Sequence, residues 1–155
     1  MLRHTTEHVL ISLKPNLIDA FLAGHKCVEL RRRAPRLQAG TLVWFYGKVP
    51  CGRVMAVGRL QQVTVAPTVE IWRNFEPCIG ISKSEFDAYL HGLSEAAVLS
   101  FASIEAVSCP ADLEELRRIE PGFQPPQFFR RVKSVELVDR LMEGKREELR
   151  AGCVH

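Results

Sequence analysis

No stretch of this chain is apolar for long enough to span a membrane, and its longest hydrophobic runs have only the length of a strand. The first residues carry no secretory-type apolar segment, so a cytoplasmic location and no membrane partner are expected. Cysteine is sparse. Cys27, Cys51, Cys78, Cys109 and Cys153 are odd in number and widely scattered, with no C-x-x-C pair. They therefore indicate neither a disulfide framework nor a zinc site, and reduced thiols are expected. His4, His8, His25, His91 and His155 also lack the spacing of a metal site, and no cofactor is expected. What remains is ordinary for a globular protein: 25% charged residues, 46% hydrophobic ones, and a length of 155 that buries a core as one domain, 1–155.

Net charge is only +3, but its distribution is uneven. Lys26, Arg31, Arg32, Arg33, Arg36, Lys48, Arg53 and Arg59 crowd the stretch from Gly24 to Arg59, opposed by Glu29 alone. From Leu60 to Glu120 acids outnumber bases. The first region suits an anionic partner and the second does not, although a solvated face is the plain alternative for any charge run.

In chain order, residues Met1 to His8 read as a frayed lead-in. Val9 to Leu13 is a first strand, buried at least in part on both faces. Pro15 suits the first turn of a helix bearing Leu17, Ile18, Phe21 and Leu22, which Gly24 ends. Thr41 to Tyr46, β-branched and aromatic, is a strand. Arg53 to Val65 reads as a long curved strand with a bulge at Gly58. A short helix starts at Pro67 and runs to Phe75. Ser82 and Glu85 form a capping box for the next helix, flanked by Ile81 and Phe86 as a hydrophobic staple. Ala96 to Val107 is a further strand and Ala111 to Ile119 a charged helix. A rigid stretch from Pro121 to Pro126 leads into Gln127–Arg131. Ser134 to Arg150 is an amphipathic helix with Val135, Val138, Leu141 and Met142 on its inner stripe. Consecutive short strands mixed with helices predict an α+β domain built on a barrel-like sheet.

The stretch from Gly24 to Arg31 is the most unusual. As a strand it sends Val28 and Leu30 to one face, and Cys27, Glu29 and Arg31 to the other. Charges enter a fold's interior only when they are paired or used. Lys26 has the wrong parity for the Glu29 face, yet it stands at the strand entrance, where a turn can re-aim it. The plain reading of the set is an ion pair, Glu29 with Lys26 or Arg31, that closes the sheet.

The pattern Gly24-x-Lys26-x-x-Glu29-x-Arg31 resembles the ASCH domain family, a branch of the PUA-like barrels. Ile11 to Pro15 resembles that family's first strand and helix start, and Leu37-x-x-Gly40 with the strand ending at Tyr46 its third element. Gly80 to Gly92 and Pro125 to Arg130 resemble a subgroup with two extra helices and a proline-rich closing loop. The likeness runs from about Val9 to Val132 and implies a PUA-like β-barrel with peripheral helices. It also implies a cationic cleft between the sheet and the first helix, lined by Lys14, Lys26, Glu29 and Arg31, with Tyr46, Lys48 and Gln127 at its rim. The implied ligand is RNA or a nucleoside.

Three functions fit these residues. In the first, RNA is bound: Arg31, Arg32, Arg33 and the lysines neutralise phosphate, while Trp44, Phe45, Tyr46, Phe128 and Phe129 offer stacking faces. In the second, Lys26 and Glu29 act as an acid–base pair in RNA cleavage or in N4-acetylcytidine hydrolysis. The resemblance implies a threonine nucleophile for the second of those reactions, but its position is Glu29; Ser12 is a candidate replacement, weighed against a serine that only bonds to backbone. The third function is a protein-interaction module or homodimer using the C-terminal helix.

Overall fold

The expected first strand forms as β1 (His8–Leu13), and all six of its residues are buried. The structure, a computed structural model, describes the backbone of residues 6–154 and the side chains of residues 6–145. His4, His155 and the Cys153 thiol lie outside the described residues. The further elements are α1 (Pro15–Leu22), β2 (Val28–Arg31), β3 (Leu42–Gly47), β4 (Arg53–Pro67), α2 (Thr68–Ile79), α3 (Lys83–Tyr89), β5 (Glu95–Ala106), α4 (Leu113–Ile119), β6 (Phe129–Arg131) and α5 (Val135–Val154). The strands form one curled half-barrel sheet in the order β2-β5-β4-β3-β1-β6, the α+β, PUA-like barrel that the sequence predicts. Among the described residues, only β1 and β3 pair in parallel, and the other neighbouring strands are antiparallel.

Burial of β1 and β3 on both faces needs a layer on each side. On one face, Ile18 and Phe21 of α1 pack against Val9, Ile11, Val43, Phe45, Leu60 and Leu99. On the other, Leu116 of α4 and Leu137 and Leu141 of α5 pack on Leu10, Leu42, Trp44 and Val57. A third cluster seats α2 and α3 on β2 and β5 through Ile71, Ile79 and Phe86 against Val28, Leu30 and Val98. In α5 it is Leu137 that shares the buried stripe with Leu141, whereas Val135 at its start is exposed. No helix among the described residues is long and apolar enough to cross a membrane.

Several local expectations are met. Pro15 stands in the first turn of α1, and Gly24 takes a left-handed φ of 84° just past its end. The Ser82–Glu85 capping box is formed in both directions. Others shift. The extra residues of β4 are Met55, opposite β3, and Gln61, opposite β5, while a third shift places its extra residue, Ala102, in β5. Gly58 instead admits the Phe101 ring, since a Cβ there would stand 2.8 Å from the ring edge. The helix begun at Pro67 continues past Phe75 and through Pro77 to Ile79.

Two expectations are overturned. Cys27 and Cys78 are not reduced thiols but form a disulfide, their Cα atoms 5.2 Å apart. Spacing in sequence hides this, because the end of α2 is folded against the entrance of β2, where the Cys27 N–H donates to the Cys78 carbonyl at 2.8 Å. His8 is not frayed: it opens β1, and the Trp44 indole N–H donates to its Nδ1 at 3.0 Å. Burial lowers the His8 pKa below its ordinary 6.5.

That lowered value fixes a direction for stability. Below pH 6.5 the unfolded chain takes up a proton at His8 before the folded one does, so this site's stabilisation is complete above pH 6.5 and is lost as pH falls. Urea unfolding between pH 7 and pH 5 is expected to show a falling midpoint, and a flatter profile in His8→Asn, which keeps an acceptor near Nδ1 but does not titrate. Equal slopes in the two proteins would exclude His8 as the titrating group.

Candidate functional site

The turn at the end of α1 swings Lys26 inward, its N–H donating to the Ala20 carbonyl at 3.0 Å. The ammonium is buried: it donates to the Ile79 carbonyl at 2.7 Å and lies 3.6 Å from Glu29. Burial pushes the Lys26 pKa down, and the Glu29 carboxylate works against that shift. Glu29, 5% exposed, also holds Arg31 at 3.2 Å through its second oxygen. Arg31 then reaches beyond its own strand, its Nη1 donating to the Phe128 carbonyl at 3.2 Å. Strands β2 and β6 are the two ends of the sheet order, so this chain of contacts ties one edge of the curl to the loop that leads into the other.

Glu29 is in register with Leu99 and therefore lies on the α1 side of the sheet. The space between α1 and the sheet is packed by Ile18, Phe21, Phe45 and Leu99. Of the residues expected to line it, Lys26 and Glu29 are committed to each other, and Lys14 stands exposed at the N-terminal end of α1. Arg32 is exposed and donates to the Tyr89 carbonyl at 2.6 Å, and Arg33 is exposed. Of the expected stacking rings, Trp44, Phe45 and Tyr46 are all buried core, because β3 is covered on both faces.

A hollow lies on the opposite face. A pocket of about 450 Å³ is lined by Ser12, Tyr46, Lys48, Val49, Leu113, Pro125, Pro126 and Gln127. Ser12 and Tyr46 are Cα partners in the parallel β1–β3 register, so their side chains project side by side to form its floor. Both hydroxyls are buried without a hydrogen-bond partner, an expensive state for a polar atom. Burial raises the Tyr46 phenol above its ordinary pKa, against the pull of the nearby Arg117 guanidinium, so the phenol is a proton donor at neutral pH. Lys48 is exposed on the first residue of the loop after β3, and its N–H donates to the Leu13 carbonyl at 2.9 Å, which fixes where that loop leaves the sheet.

The far wall, Pro125 to Gln127, is held at both ends. Arg117 of α4 donates to the Phe123 carbonyl at 3.1 Å and to the Gln124 side chain at 3.4 Å, and Arg31 holds Phe128. The pocket thus gathers the expected rim residues Tyr46, Lys48 and Gln127 and adds Ser12, whose oxygen does not bond to backbone. Sequence reading did not single out Arg117, which there is one arginine of a charged helix; only its contacts give it a role. No group of three or more His, Cys, Asp or Glu side chains among the described residues is placed to hold a metal. An ammonium beside two hydroxyls suits an oxyanion such as a phosphodiester.

No protein-family model matches the chain. An ASCH domain-containing ribonuclease from Zymomonas mobilis is 26% identical over 135 residues, covering 85% of this chain and 90% of the relative. The crystal structure of ASCH from Zymomonas mobilis superposes with a TM-score of 0.82 at 25% identity, covering 88% of this chain and 94% of that one. A variant of that protein with phenylalanine in place of a tyrosine gives a TM-score of 0.82 at 24% identity, covering 88% and 96%.

The buried charge set makes a sharp forecast. Glu29→Ala leaves the Lys26 ammonium buried without a counter-charge, and is expected to lower unfolding free energy by about 3–5 kcal/mol. Replacing both partners, Lys26→Met with Glu29→Leu, should recover most of that loss. Urea denaturation of the three proteins measures it; a Glu29→Ala variant as stable as the parent would show that the pair carries no such weight.

Proposed function

We propose that this chain, which belongs to the ASCH domain family, binds single-stranded RNA in the Ser12–Tyr46–Lys48 pocket and cleaves it. The observation that carries the reading is the pair of buried hydroxyls without partners beside an exposed lysine. A phosphate or ribose group that reaches the pocket floor gives those hydroxyls the partners they lack. Two further points support it: the ASCH relative is named a ribonuclease, and a tyrosine hydroxyl was removed from the ASCH protein of the same organism.

In this reading the Lys48 ammonium binds the non-bridging phosphate oxygens. The 2′-oxygen attacks phosphorus, the bond to the 5′-oxygen breaks, and the Tyr46 phenol supplies the proton that the leaving oxygen takes up. The 2′-hydroxyl proton leaves to water, and water returns a proton to the Tyr46 phenolate. The phenol carries its proton at neutral pH, the form a donor needs; burial makes it a weaker acid, so the donor role rests on its place in the pocket and not on its pKa. Ser12 and Gln127 hydrogen-bond the phosphate or the ribose, and Arg31, Arg32 and Arg33 supply cations along the strand's path. Lys14, exposed at the start of α1, adds to the positive field. Lys26 and Glu29 are support: Lys26 pairs with Glu29, Glu29 holds Arg31, and Arg31 holds the loop that carries Gln127. The alternative of amide hydrolysis has no support at Glu29, a paired carboxylate that cannot serve as the hydroxyl nucleophile. We place the activity in the cytoplasm, where single-stranded RNA is available.

Incubation of the pure protein with end-labelled single-stranded RNA is expected to give defined fragments. Tyr46→Phe should cut kcat by about 10²-fold or more with little change in binding, and without loss of stability, because the hydroxyl it removes has no partner. Lys48→Ala should weaken binding and lower the salt slope by about 0.7. RNA left intact by the parent protein, or full cleavage by Tyr46→Phe, would overturn the proposal.

A further inference from the structure

We infer that Phe128 is a stacking platform for an unpaired base next to the pocket, so that the ligand is recognised as a strand and not as an isolated nucleotide. The inference rests on the RNA reading of the pocket and adds a binding position outside its lining. Phe128 is 73% exposed, which by itself says little, since single apolar residues are common on protein surfaces. What sets this one apart is how firmly its backbone is held. The Arg31 guanidinium binds its carbonyl at 3.2 Å, and Glu29 in turn fixes that guanidinium at 3.2 Å. The next residue, Phe129, is registered on Ile11 in β6 and packs into the core on the α1 side. The residues before it, Pro125 to Gln127, form the pocket wall.

An exposed aromatic on an already ordered segment loses little freedom when a ring settles on it, and that is the condition under which stacking gives the most affinity. Across the pocket, Val49 is 78% exposed and presents a second apolar surface at the rim. Arg32 and Arg33 follow the end of β2 and are exposed, two cations for the phosphates of a bound strand. A partner chosen by these neighbours has flat apolar rings joined by negative charges, which describes an unpaired nucleic-acid strand. A duplex keeps its base faces stacked inside and cannot offer one.

The test uses the intact protein and a short single-stranded RNA made non-cleavable by 2′-O-methyl groups, read by fluorescence anisotropy. Phe128→Ala is expected to weaken binding about five- to hundredfold, with an unchanged salt slope and an unchanged melting temperature, and Phe128→Trp to restore it. A matched set of strands, each with one abasic nucleotide, should show one position whose loss weakens the parent protein and leaves Phe128→Ala unaffected. If the parent binds the strand and Phe128→Ala binds as tightly, the platform is excluded while the pocket reading survives. If the parent binds no strand, both fall. If Phe128→Ala instead changes the mass in solution at constant RNA affinity, the ring belongs to a contact between copies of the chain and the inference is overturned.

Discussion

One buried carboxylate shared by two cations determines where the working parts of this molecule lie. Glu29 sits between Lys26 and Arg31, and each cation also holds a backbone carbonyl, Ile79 at the end of α2 and Phe128 before β6. Ions in an interior must recover a large desolvation cost, and they do so only when their remaining hydrogen-bonding capacity is also met. Here it is met by joining three segments that are distant in sequence. The Cys27–Cys78 bridge lies one residue from both Lys26 and Ile79 and fastens the same corner. The far end of the network is not core at all but the wall of an open pocket.

The pocket owes its place to the single parallel pairing in the sheet. Because β1 and β3 run the same way, the segments that follow Leu13 and Gly47 leave from the same end, and Ser12 and Tyr46 come into line one residue before it. A parallel pair needs a long crossover, and α1 with β2 is part of it. The crossover thus covers one face of β1 and β3, while the loop from Pro125 to Gln127 roofs the end of the other. Two hydroxyls are left on the floor of a mainly apolar pocket between a well-packed core and solvent, which Lys48 also lines, within reach of the Arg117 charge.

Much of the architecture was legible in the sequence, because period and punctuation report local forces. Alternation, Pro15, Gly24 and the Ser82–Glu85 box each mark an element that forms where it was expected. The oddity of an acid and an arginine on a short strand was legible too, but its meaning was not. Parity assigns a face to Glu29 without saying which face opens to solvent, and it is the register with Leu99 that turns it toward α1. The same limit hid the aromatic residues: a strand covered on both sides buries Trp44, Phe45 and Tyr46 alike, leaving Phe128 as the ring in the light. Cys27 with Cys78, and Arg117 with the loop it holds, are tertiary pairings with no local signature.

The measurement that bears most directly on this account is an amide and arginine side-chain NMR titration with a non-cleavable single-stranded RNA. Shifts are predicted in the amides of residues 47–49, 51, 52 and 127–129, with the Arg31 side-chain resonance moving in step because it joins that loop to Glu29. Shifts gathered on α1 and the Lys14 side, with the two loops and Arg31 unmoved, would contradict it.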